Sequence, residues 1–181
     1  MPRSGSVTKS AILEAANRIV REKGAEHLTL ELTASEAGIS KGGLLYHFPT
    51  KEALIQGMIL DYLERFSRDY EQTARADSQS AGSWTRSYLQ VTAQDQQRAP
   101  GMSSGLLAAA ATDPSLLLPL QTNFQEWVAK LESDGIDPVK ALIVRLAVDG
   151  LWMVELFGLA APGADMRRQI LSTLEEMTHT N

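Results

Sequence analysis

The chain has 181 residues, 44% of them hydrophobic, enough to bury a core in one or two domains and too apolar to be disordered as a whole. It has no cysteine, which excludes disulfides, thiol catalysis and cysteine-based zinc sites. The net charge of −5 hides an asymmetry: residues 1–51 hold seven Lys or Arg against five acids, a surplus of +2, and the remainder carries −7. That pattern fits a small basic head on an acidic body.

From the N-terminus, the polar start MPRSGSVTK has no apolar core of a signal peptide, so a cytoplasmic protein is expected. A first helix over 6–23 sets Ile12, Ala15, Ala16, Ile19 and Val20 on one face, and Gly24 stops it. Thr29 opens a short helix over 30–37. Gly38 supplies a tight turn, and Ser40 caps a helix over 41–47 by accepting from the amide of Gly42 or Gly43. Pro49 ends that helix. Thr50 caps a long one from 51 into the seventies, with Leu54, Met58, Tyr62 and Phe66 at successive i+4 positions.

The polar segment DSQSAGS, 77–83, reads as a loop. A helix over 84–98 follows, then a short Ala-rich one over 102–112. Asp113-Pro114 and Asp137-Pro138 are matching helix starts, each a capping acid followed by a proline whose missing amide is harmless there; Pro119 kinks or restarts the first of these helices. The apolar stretch 141–161 contains Arg145, Asp149 and Glu155, which suits a helix buried on two sides better than a membrane span. Pro162-Gly163 separates it from a last helix striped with Met166, Ile170, Leu174 and Met177.

Two short helices joined by a glycine turn form a helix-turn-helix, so GISKGGLLYHFPTK, 38–51, points to double-stranded DNA. A helix in the major groove offers its first residues to base edges, where Lys41 can donate to guanine O6 or N7. Gly42 and Gly43 would let the backbone approach the groove, at roughly 1 kcal/mol each in helix propensity. Tyr46 and His47 can contact phosphates, and Lys51 with the open amides of its helix start makes a phosphate seat. Leu44, Phe48 and Ile39 are expected in the core, and a helix cap alone is the competing reading of Thr29.

These residues resemble the tetracycline-repressor (TetR) family of bacterial transcription regulators, whose pattern T…A..AGVS.G..Y.HF..K..L appears here as Thr29, Ala34, Ala37-Gly38-Ile39-Ser40, Gly42, His47-Phe48, Lys51 and Leu54. The phrase LAVDGLWM, 146–153, looks like the eighth helix of multidrug-responsive members. The resemblance implies an all-α fold with an N-terminal three-helix helix-turn-helix domain, 1–51, joined by a long helix to a helical ligand-binding and dimerisation domain, 52–181. Two departures stand out. Leu45 replaces a common tyrosine and can touch a thymine methyl in place of a phosphate; Thr33 replaces isoleucine and should pack less well.

In the body, Ala147, Gly150, Val154 and Gly158 make a side of small residues that permits close helix packing. With the last helix they suggest a homodimer through the last two helices, as the resemblance also implies. Trp84 with Tyr88, Phe124 with Trp127, and Trp152 with Met153 are candidate walls of an effector chamber, joined by Met102 and Leu106. Asp149, Glu155 and Glu126 are acids that could attract a lipophilic cation. Ordinary core packing is the competing reading of each ring, and Arg145 one turn before Asp149 can simply pair with it.

The function expected is a ligand-released repressor on a palindromic operator, controlling an efflux or detoxification gene. The alternative is a non-DNA helical carrier of an apolar or cationic small molecule. No acid pair, nucleophile-base arrangement, phosphate loop or metal spacing, including that of His27, His47 and His179, points to an enzyme, and no cofactor or metal is expected.

Overall fold

A computed structural model describes residues 6–79, 81–98 and 113–179. Every regular element among them is helical: α1 (Ser6–Lys23), α2 (Leu30–Glu36), α3 (Lys41–His47), α4 (Lys51–Ala76), α5 (Ser83–Arg98), α6 (Leu118–Glu132), α7 (Pro138–Leu156) and α8 (Ala164–Glu176), with short 3-10 turns at Ala25–His27 and Pro114–Leu117. The helix expected over 102–112 lies outside the described residues. Two compact units emerge among the described residues, one from 6–63 and 113–120, the other from 64–79, 81–98 and 121–179.

In the first unit α1 packs on α2, and α2 on α3. The apolar face of α1 is buried as its periodicity requires, with Ile12, Ala15 and Ala16 fully enclosed. Leu44, Phe48, Leu54 and Met58 complete the core; Ile39 is half-buried. Gly38 adopts φ +68°, the left-handed conformation that ends α2 and redirects the chain into α3. Gly57 is required for another reason: a Cβ there would stand 2.5 Å from Cε1 of Phe48, so α4 can approach the exit of α3 only without a side chain. Thr33 is fully buried, and its hydroxyl donates to the carbonyl of Thr29 at 2.7 Å. That bond satisfies the hydroxyl of a polar side chain enclosed in the core.

In the second unit α5 packs on α7 and α8, which also pack on each other. Asp134, buried between α6 and α7, caps α5 from a distance by accepting from the amides of Trp84 and Thr85 and from the Thr85 hydroxyl. Arg86 clamps the α4–α5 connection: it donates to Asp77 at 2.6 Å and to the carbonyls of Gln79 and Ala81, each at 2.9 Å, and reaches the Thr178 carbonyl beyond α8. The acids before Pro114 and Pro138 cap as expected, Asp113 accepting from Ser115 and Asp137 from Val139. Pro119 falls at the second residue of α6, so the helix restarts there after the 3-10 turn.

One expectation is corrected. α7 ends at Leu156, and Gly158 lies beyond it with φ +64°, in a turn where the amide of Leu159 reaches back to the carbonyl of Val154. Gly158 therefore terminates the helix and does not extend its small-residue side. What α7 and its C-cap residue Phe157 expose is a different stripe: Val139, Ile143, Leu146, Met153 and Phe157 are each 46% exposed or more. With Gly150 they follow alternating spacings of four and three residues, the seam of a helix that packs lengthwise on another. Met166 on α8 is also exposed.

Candidate nucleic-acid interface and effector chamber

Helix α3 is built by local chemistry. Ser40 takes an extended backbone and its hydroxyl oxygen accepts from the amide of Gly43 at 3.1 Å, Gly43 being one of the two partners expected. Thr29 caps α2 in the same way by accepting from Leu32, and Thr50 caps α4 by accepting from Ala53. These three caps fix where each helix starts, and so which side chains of α3 face out.

Leu44 and Phe48 point inward, leaving Lys41, Gly42, Leu45 and Tyr46 exposed. Tyr46 is 86% exposed, far more than an aromatic ring adopts when its only task is packing. Its ring meets that of half-buried His47 edge-on, centroids 5.1 Å apart. Lys51 is half-buried at the start of α4. Lys41 donates to Glu31, a partner that sequence reasoning missed because an ion pair between two helices has no local spacing signal.

The candidate effector residues divide. Trp84, Tyr88, Phe124 and Trp127 come together in one ring cluster whose centre is supplied by two residues outside the expected set, Phe66 and Tyr70. Trp127 lies 4.6 Å from Phe66 and 5.0 Å from Phe124, and Tyr70 lies 5.1 Å from Trp84. Tyr70 continues the i+4 stripe of α4 by one more step, the signal that could have found it. Its hydroxyl is buried without a hydrogen-bond partner among the described residues, and burial pushes the phenol well above its ordinary pKa. Trp152 is half-buried and Met153 is 48% exposed; Met102 and Leu106 lie outside the described residues.

Cations of the chain itself already occupy the electron-rich positions. Lys130 Nζ stands 4.5 Å over Trp84 and 5.6 Å over Tyr70, and 3.1 Å from Glu71. Arg145 lies 5.4 Å over Phe124 and 3.2 Å from Asp149, an ion pair without hydrogen-bond alignment at Nε. Asp149 also accepts from the Tyr88 hydroxyl at 2.8 Å. Burial raises the Asp149 pKa, partly offset by Tyr88 and Arg145. Glu155 pairs with Arg167 at 2.7 Å, and Glu126 is exposed. A shallow cleft of about 350 Å³ borders this region, lined by Phe124, Gln125, Val128, Ala129, Glu132 and Arg145.

A short helix, a glycine turn and a second capped helix with an exposed outer face, in a chain whose other described elements are also helical, make a helix-turn-helix architecture. Comparison with known proteins agrees. The model of bacterial regulatory proteins of the tetR family matches residues 12–58, and that of the tetracyclin repressor-like C-terminal domain matches 82–179. The chain belongs to the TetR family of transcriptional regulators. The HTH-type transcriptional regulator UidR of Escherichia coli K12 is 41% identical over 58 residues, 32% of this chain, and RutR of the same strain is 42% identical over 62 residues, 34% of this chain. The chain spans only 30% and 29% of the lengths of these relatives. A TetR-family regulator from Rhodococcus sp. has the same fold at TM-score 0.73 and 24% identity, covering 96% of this chain and 100% of that one. The multidrug binding protein EbrR, complexed with ethidium, has it at TM-score 0.68 and 22% identity, covering 96% and 99%. Among the described residues no helix is long and apolar enough to cross a membrane.

Proposed function

We propose that the chain is a homodimeric cytoplasmic repressor that holds a palindromic operator through α3 and is released by a lipophilic small molecule, controlling an efflux or detoxification gene. The observation that carries this reading is the outward face of α3, where Tyr46 stands 86% exposed while Leu44 is fully buried behind it. DNA contact is assigned to Thr29, Ser40, Lys41, Gly42, Gly43, Leu45, Tyr46, His47 and Lys51. Two such heads on a twofold axis match a palindrome, and the exposed stripe of α7 supports pairing through the last two helices.

The ring cluster around Trp84, Tyr88, Phe124 and Trp127 supports an aromatic or lipophilic effector, and the buried Tyr70 hydroxyl offers it a polar contact. Asp149 and Glu155 are already paired with arginines, so a cationic effector enters by displacing Lys130 or Arg145 from the rings they cover. An effector that binds the DNA-incompetent arrangement more tightly shifts the dimer toward it. The helix α4, which contributes to both units, is the natural lever.

Selection of bound duplexes from a random pool tests this directly, repeated with ethidium and with fatty acyl compounds as releasing agents. Enrichment of a palindrome whose occupancy falls with one of these agents is the expected result. Enrichment of no palindromic site would overturn the reading.

A further inference from the structure

The reading surface carries an acid in direct contact with its leading cation. Glu31 is the second residue of α2 and Lys41 the first of α3; Oε1 of Glu31 accepts from Nζ of Lys41 at 2.5 Å. The Lys41 and Glu31 side chains are 57% and 65% exposed, so the pair stands on the surface and outside the packing of the head. The hydrogen bond from Lys41 holds the Glu31 carboxyl below its ordinary pKa. An ion pair this exposed contributes little to stability, and the starts of α2 and α3 are already fixed by Thr29 and Ser40. Its consequence lies in what it presents to a ligand.

A carboxylate on a surface that meets phosphates opposes sequence-independent binding, which depends on positive charge. A head shaped for affinity alone has no use for it; a head that reads bases does. In the major groove a G·C pair presents guanine N7 and O6 as acceptors and then the cytosine N4 amino group as a donor. An ammonium has three N–H donors and a carboxylate two oxygens. After one of each has joined the pair, two donors remain beside a free acceptor. At an A·T pair the second ammonium donor would meet the adenine amino group, itself a donor.

We propose that Glu31 and Lys41 read one G·C base pair as a single unit, Lys41 donating to the guanine edge and Glu31 accepting from the cytosine amino group, while Glu31 also weakens binding to unrelated DNA. This rests on α3 being the DNA-reading helix.

The test selects duplexes from a random pool with the wild-type chain, Glu31→Gln, Glu31→Asp and Lys41→Gln, then measures anisotropy on the selected site and on an unrelated duplex at one salt concentration. Wild type is expected to enrich a site with a fixed G·C pair in each half. Glu31→Gln and Lys41→Gln lose that preference, and Glu31→Gln binds the unrelated duplex more tightly, so that its specificity ratio falls roughly tenfold. Glu31→Asp keeps the charge but withdraws it by one methylene; it loses the base preference and retains the weak unrelated binding. If wild type enriches no site, the DNA-reading role of α3 fails. If wild type enriches a site and Glu31→Gln or Glu31→Asp keeps every base preference with an unchanged ratio, the proposal is overturned and that role stands.

Discussion

Gly57 faces the ring of Phe48 so closely that a Cβ there would stand 2.5 Å from Cε1 and 3.1 Å from Cζ. Phe48 is the residue at which α3 ends, so this contact ties the exit of α3 to α4. Gly57→Ala gains about 1 kcal/mol in helix propensity but overpacks the head by about 1–3 kcal/mol. The expected net result is a head destabilised by about 1 kcal/mol. Urea unfolding would show it, and Phe48→Leu in the same chain should restore much of the loss by giving the new methyl room.

Tyr46→Ala should weaken binding to every duplex by about tenfold, the worth of one hydrogen bond to a charged phosphate. The melting temperature should not move, because the ring is 86% exposed. Fluorescence anisotropy on selected and unrelated duplexes, beside a melting curve, separates this outcome from a folding defect.

Leu146→Glu places a charge in the exposed stripe of α7, where Leu146 is 62% exposed. If two copies pair through that stripe, the substitution raises the dimer dissociation constant by about 100-fold, since like charges across an interface cost several kcal/mol. Sedimentation velocity reads it. A variant as dimeric as the wild type would remove α7 from the interface.

Burial holds the Asp149 carboxyl above its ordinary pKa, against the pull of Tyr88 and Arg145. A raised value in the folded state means that the folded chain takes up this proton more readily than the unfolded one. The group's stabilising contribution is therefore fully present below the unfolded value of about 4 and is lost as pH rises through the folded value. Asp149→Asn, which keeps an acceptor for the Tyr88 hydroxyl, should gain in stability relative to wild type as pH rises through that window. Urea midpoints between about pH 4 and 7 test the sign.

Arg86→Ala leaves Asp77 and two loop carbonyls without the donor that holds them. The Arg86 side chain is only 10% exposed and that of Asp77 19%, so breaking the pair should destabilise the body by about 3–5 kcal/mol. Thermal unfolding measures the loss.

The head was legible because its chemistry is local. Thr29, Ser40 and Thr50 each act on an amide three residues ahead, and Gly38 turns the chain with its own φ, so composition and spacing carry all four. The body was legible in its helices but not in its faces. α7 is apolar around most of its circumference, and a pattern without a polar side cannot say which side stays uncovered; the stripe from Val139 to Phe157 and the true place of Gly158 emerge only from packing. The cations on the rings were invisible for a related reason. Lys130 and Glu71 are 59 residues apart, and no spacing rule joins them.

Lys130 also gives this chain an optical property. Its ammonium, 4.5 Å over the Trp84 ring, sets a positive charge beside an indole whose emission responds to the local field. Trp84 lies on α5, Lys130 on α6 and the Glu71 carboxylate on α4. Any shift among these three helices moves charge relative to the ring, so Trp84, one of three tryptophans in the chain, is an intrinsic fluorophore sensitive to displacements among α4, α5 and α6.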